Sequence, residues 1–166
     1  CSSDLLSAHN GLIRGSNTAV VNGKALDADL SALLARPVRF ENDANCFALS
    51  EAVDGAGAGA RVVFGVILGT GVGGGVVIDG KIVAGRNHIT GEWGHTPLPW
   101  MTREEYPGPR CFCGHDGCIE TFLCGPALMR DYAHRGGAAA SGREIAERAK
   151  QGEAAARNAL DAYQDR

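Results

Sequence analysis

A chain of 166 residues, 45% apolar and with a formal net charge of −3, is long enough to bury a core in one domain or two small lobes. It carries no run of lysine or arginine that would form a basic face, so no nucleic-acid partner is expected. The longest apolar stretch, 61–78, is interrupted by Gly65, Gly69, Gly71 and 73–75, which excludes a membrane-spanning helix there, and no charged-then-apolar leader opens the chain.

Residues 1–24 read as polar and turn-rich, with Asn10-Gly11 and Asn22-Gly23 as punctuation. Leu26, Leu30, Leu33 and Leu34 at helical spacing predict a helix over 27–35, stopped by Pro37. Val38-Arg39-Phe40 reads as a short strand, and 44–53 as a second helix, followed by an alanine-glycine loop over 54–59. Three strands are expected at 62–68, 75–78 and 81–83, the last two joined through Asp79-Gly80, a strong hairpin turn. Residues 84–118 form a long loop rich in glycine and proline, which needs an added constraint in a compact domain. Helical patterns then cover 119–134, 142–151 and 153–166. Strands and helices mix throughout, so the class is α/β. A chain that begins at Cys1 without methionine and ends in an uncapped helical pattern is expected to be part of a longer protein.

The chemistry concentrates between Gly91 and Glu120. Cys111, Cys113 and Cys118 follow a C-x-C-x4-C spacing, with fifteen residues between His95 and Cys111. Three thiolates and an imidazole make a closed tetrahedral set for structural zinc, with His115 or His88 as the competing fourth ligand. One residue between Cys111 and Cys113 suits two ligands on a turn better than a disulfide, and a reducing cytoplasm fits this usage. Of the other cysteines, Cys46 and Cys124 read as buried small hydrophobes, while Cys1 lies outside the cluster. Glu92 and Glu120 flank the ligands, where metal-fixed backbones would pre-organise two acceptors for sugar-like hydroxyls. Trp93 and Trp100 are expected in core packing. Asn42-Asp43-Ala44-Asn45 stands where extended chain turns into helix; from the residues alone, Asp43 as helix cap is favoured over Asp43 as general base. The glycine-rich turn Leu68-Gly69-Thr70-Gly71-Val72-Gly73-Gly74-Gly75 reads either as a phosphate cradle or as a bulged hairpin. It lacks both the ending of a Walker loop and the following helix of a dinucleotide fingerprint.

Together, the segment 41–45, the glycine pattern from Leu68 to His95, and Cys111 to Glu120 resemble the ROK family of sugar kinases and repressors. The resemblance covers the whole chain and implies an actin-like, hexokinase-type ATPase fold (ribonuclease H-like). Residues 1–50 would end a first lobe, 51–60 would be a hinge, and 61–166 would begin the second lobe. It implies Asp43 as the base, with Asn42, Glu92, His95, Glu120 and Asn17 contacting the sugar and Gly69, Thr70 and Gly71 the phosphate. His95 would ligate structural Zn²⁺ through one ring nitrogen and meet sugar through the other. The partners implied are a hexose and ATP with Mg²⁺, in a cytoplasmic enzyme that is a homodimer at full length. The family's N-terminal Asp-x-Gly-Gly-Thr motif and its C-terminal adenosine motif do not occur here, so the chain alone is expected to turn over little. The stretch Gly91 to Trp100 resembles the fructokinase branch, and 42–52 with 89–91 resembles N-acetylglucosamine kinases. Fructokinase is taken as the first expectation, with N-acetylglucosamine kinase and a sugar-sensing repressor as the alternatives.

Overall fold

The computed structural model describes residues 5–7, 9–14, 16 and 18–166; Cys1 and Asn17 lie outside the described residues. Contacts group the chain into two compact units, Cys1–Ile67 with Gly73–Glu92, and Leu68–Val72 with Trp93–Arg166.

In the first unit, β1 (Leu5–Leu6) and β2 (Ile13–Arg14) pair antiparallel, Leu5 opposite Arg14. Helix α1 (Leu26–Leu34) carries Asp27 and Asp29 in its first turn, where the helix dipole favours negative charge. It ends at Ala35 in the left-handed region. The strand expected at 38–40 does not form. The Val38 N–H donates instead to the Ser31 hydroxyl at 2.9 Å, which ties the segment back to α1.

Helix α2 (Asp43–Val53) precedes β3 (Val62–Leu68), β4 (Val72–Ile78) and β5 (Lys81–Ile82), and the sheet order is β3-β4-β5. Strands β4 and β5 pair antiparallel, Val77 opposite Ile82, and Asp79 and Gly80 both adopt positive φ as the two-residue turn requires. Strand β4 starts three residues earlier than expected, so Val72, Gly73 and Gly74 are strand and not turn. The reason is α2. A methyl group on Gly75 would lie 2.6 Å from the Ala44 carbonyl oxygen, and one on Gly65 would lie 2.7 Å from the Ala48 Cβ. Ala44, Asn45 and Ala48 form the buried face of the helix, one turn apart. Cys46 points the other way and is exposed, contrary to the expectation of burial.

The second unit holds α3 (Ile119–Leu123), α4 (Gly125–His134), α5 (Gly142–Lys150) and α6 (Ala154–Asp165). The single helix expected over 119–134 is broken at Cys124, whose backbone is extended. Pro126 offers no N–H for a continuous helix, and the Gly125 N–H is drawn to the Gly69 carbonyl at 2.7 Å. One core gathers Val72, Leu98, Ile119, Phe122, Leu123 and Cys124, with Trp93 packed against it. A second core joins Leu128, Tyr132, Ile145, Ala156 and Ala159 from α4, α5 and α6. Trp100 departs from expectation: it sits at positive φ in a turn and is 96% exposed. Among the described residues, no helix is long and apolar enough to cross a membrane.

Two predictions follow from packing and charge. Gly75→Ala is expected to cost about 1–3 kcal/mol by forcing helix and strand apart, read as a lower urea midpoint. Gly69→Ala, where a methyl meets nothing within 4 Å, is expected to change stability by less than ~0.5 kcal/mol. The second concerns Glu105, which pairs with Arg166 at 2.6 Å, both side chains largely buried. Burial opposes its ionisation, but the Thr102 N–H and the Arg166 guanidinium outweigh this and hold its carboxyl below the ordinary 4.5. A carboxyl depressed in the folded state stabilises fully above its unfolded value and less as pH falls through its folded value. Stability should therefore drop as pH is lowered below about 4.5, and Glu105→Gln should flatten that part of the pH-stability curve.

Candidate functional site

Two candidate residues of the first unit, Asn42 and Asp43, stand at the start of α2. Asn42 is the N-cap: its Oδ1 accepts the Asn45 N–H at 3.1 Å. This corrects the reading in which Asp43 caps the helix. Asp43 is the first helical residue and is exposed, its Oδ1 accepting the Ala44 N–H at 2.9 Å. Both Asn42 and Asn45 are buried. Glu92, half-buried, follows Gly91, whose φ is +91° and where a methyl group would collide with the Gly74 carbonyl. Glycine at 91 is thus what lets the backbone before Glu92 lie against β4.

In the second unit, the turn between β3 and β4 is Gly69-Thr70-Gly71, closed by a Gly69 N–H to Gly71 carbonyl bond of 2.9 Å. Glu120, on α3 and 7% exposed, accepts the Val72 N–H through Oε2 at 2.9 Å. With the bond from Gly125 to Gly69, this ties the glycine turn to both α3 and α4. Thr70 opens on a cavity of about 320 Å³ lined also by Arg110, Phe112, Glu120, Thr121 and Arg130.

Beside this cavity, the ligand atoms of His95, Cys111, Cys113 and Cys118 all lie within 4.8 Å of one another. His95 Nδ1 is 3.5 Å from Cys111 Sγ, and Cys113 Sγ is 3.5 Å from Cys118 Sγ. Sulfur ligands at ~2.3 Å from a tetrahedral zinc stand roughly 3.7 Å apart, so the four donors fit that ion. Between the two histidines left open by spacing, His95 belongs to the donor group; His115 approaches Cys113 from the exposed side, at 3.5 Å. Backbone bonds hold the knot independently: Leu98 N–H to Gly117 carbonyl, Ile119 N–H to Thr96 carbonyl, and Cys111 N–H to His115 carbonyl. Burial pushes the Cys118 thiol up to about 12. Burial opposes ionisation of Cys113 too, but hydrogen bonds from His115 and the neighbouring thiols outweigh it and bring that thiol down to about 6.

The ROK family model matches residues 1–166. The chain belongs to the ROK family. It is 47% identical over 134 residues to N-acetyl-D-glucosamine kinase of Yersinia enterocolitica, covering 78% of this chain and 44% of that protein. It is 44% identical over 160 residues to N-acetyl-D-glucosamine kinase of Shigella boydii, covering 94% of this chain and 53% of that protein. Among solved structures it superposes on the ROK hexokinase from Thermus thermophilus with a TM-score of 0.79 at 31% identity, covering 95% of this chain and 51% of that one. The α/β fold is therefore the hexokinase type expected of the family. The ROK chain described here spans about half the length of the curated relatives it matches.

The sequence-predicted residues thus fall into two groups. Asn42, Asp43 and Glu92 lie in the first unit; Gly69, Thr70, Gly71, His95, Glu120 and the cysteines lie in the second. Sequence reasoning missed Glu41 and Asn45, which bracket Asp43, and the arginines beside Thr70. Glu41 and Asn45 did carry a signal, a polar pair at i, i+4.

The donor geometry predicts about one zinc per chain by elemental analysis, lost in Cys113→Ser and Cys118→Ser variants. A thiol at Cys118 that stays protonated up to about 12 must give up its proton to bind a cation. Metal affinity should therefore fall as pH is lowered, with proton release on titration with zinc.

Proposed function

We propose that the protein containing this chain is an ATP-dependent sugar kinase whose preferred acceptor is N-acetylglucosamine. The observation that carries this reading is the 44–48% identity to proteins named N-acetyl-D-glucosamine kinase. It moves the acceptor away from fructose, the first expectation from sequence, toward the alternative that segments 42–52 and 89–91 also favoured.

The local geometry supports the chemistry. Because Asn42 does the capping, Asp43 is left exposed with one oxygen engaged only by its neighbour's N–H. In the proposed reaction Asp43 takes the proton of the sugar's terminal hydroxymethyl group. That oxygen attacks the γ-phosphorus of ATP, and the bond from γ-phosphorus to the bridging oxygen breaks to release ADP. Such transfers depend chiefly on positioning and charge neutralisation, the latter supplied by Mg²⁺ carried with the nucleotide. Gly69, Thr70 and Gly71 are assigned to the phosphates, and Asn42, Glu92, His95, Glu120 and Asn17 to the sugar. His95 Nδ1 faces the thiolate cluster, so Nε2 is the nitrogen assigned to a sugar hydroxyl. Zinc at the four donors would hold the 95–118 segment in place; with four protein ligands it has no open position for substrate. The lobe boundary is assigned to 51–60.

The test is phosphorylation by the full-length protein over a panel of hexoses, beside Asp43→Asn. N-acetylglucosamine should be the best acceptor, and the variant should lose about 10³-fold or more in kcat while sugar Kd stays within about threefold. Faster turnover of fructose would restore the fructokinase reading. Sugar binding without turnover would favour a sensor.

A further inference from the structure

Asn45 stands out among buried groups. It is 5% exposed, and its Oδ1 is a buried polar atom with no hydrogen-bond partner among the described residues. A carboxamide buried in this way costs stability, because the orphan oxygen has given up its water. Helix capping does not require it: the cap bond to Asn42 Oδ1 uses the Asn45 backbone N–H, which any residue except proline supplies. What the side chain does provide is a donor. Asn45 Nδ2 donates to Glu41 Oε1 at 2.8 Å, and the same oxygen accepts the Asn42 N–H at 2.9 Å.

One carboxylate oxygen therefore ties the residue before the cap to a point one turn inside the helix, with Asp43 between them. The Asn42 cap bond and the Cys46 N–H to Asn42 carbonyl bond at 2.9 Å close the same turn from the other side. The close approach of Gly75 to the Ala44 carbonyl and the Asn45 Cα leaves the turn no room to shift toward the strand. The backbone on both sides of Asp43 is thus held by the buried side chains of Asn42 and Asn45 and by the exposed carboxylate of Glu41.

We propose that Asn45 and Glu41 are positioning residues for Asp43: the Asn45 carboxamide, through Glu41, fixes the direction in which the Asp43 carboxylate meets the acceptor hydroxyl. This rests on the sugar-kinase reading, in which Asp43 is the base. A carboxylate free to swing would still leave the sugar bound but would lose the near-attack geometry that proton transfer needs.

The experiment uses the full-length protein, with kcat, sugar Kd measured without nucleotide, and thermal midpoint recorded for each variant. Asn45→Ala and Glu41→Ala are each expected to lower kcat by about 10- to 100-fold with sugar Kd changed by less than about threefold. Glu41→Gln keeps the accepting oxygen and should fall no more than about threefold in kcat. Glu41 is exposed, so its two variants report even if Asn45→Ala fails to fold. The role is overturned if Glu41→Gln loses as much as Glu41→Ala, or if kcat and sugar affinity fall together in step with stability. It is also overturned if neither Glu41 variant changes kcat while the unaltered protein turns over normally. Absence of turnover in the unaltered protein would instead remove the kinase reading, and this role with it.

Discussion

The close approach of α2 to strands β3 and β4 is the constraint on which the first unit depends. Helices usually rest on sheets through a layer of side chains. Here glycine at 65, 73 and 75 removes that layer on the strands, and alanine at 44 and 48 thins it on the helix. Backbone meets backbone, and small differences in side-chain volume become decisive because interiors are packed like crystals. The buried face of α2 then runs through Ala44, Asn45 and Ala48, which turns Asp43 outward and Asn42 inward. Which of the two polar residues caps the helix, and which one faces solvent, follows from that rotation.

The second unit solves a different problem. A segment of more than twenty residues between the short turn at 93–95 and α3 has almost no regular structure, so its backbone groups need partners from elsewhere. Isolated bridges between Pro97 and Cys118, and between Arg110 and Asp116, supply some of them. These bonds bring the three thiols and His95 together. The same segment leads into α3, whose first turn carries Glu120, and Glu120 in turn accepts the Val72 N–H at the edge of the glycine turn. The thiol cluster, Glu120 and the glycine turn are therefore linked through hydrogen bonds and chain continuity within this unit.

Much of this was legible in sequence, for identifiable reasons. The cysteine spacing pointed to the donor cluster because three soft donors so close in the chain have few other uses. The helices at 26–34, 43–53, 142–150 and 154–165 showed their apolar periodicity, and Asp79-Gly80 its hairpin. Other positions were read wrongly, each for a local reason. Gly73 and Gly74 looked like turn because glycine is a poor strand former, until a helix lies across it. Val38 to Phe40 has strand composition but no ladder, since Ser31 captures the Val38 N–H. The break at Cys124 depends on Gly125 finding a partner 56 residues away in Gly69. Cys46 and Trp100 have apolar character, but neither lies on a face that another element covers.

The sequence by itself determined the α/β class, the family resemblance and the identity of the soft-donor cluster. Each of these depends on residue type and spacing along the chain, which are one-dimensional properties. Only the tertiary structure decided between His95 and His115, between Asn42 and Asp43 as the cap, and that Asn45 and Glu41 hold the turn around Asp43. Those choices turn on which face of a helix is pressed against glycine, and on distances of three to four ångströms between atoms far apart in the chain. Such distances are set by packing, and packing is not written in the spacing of any one segment.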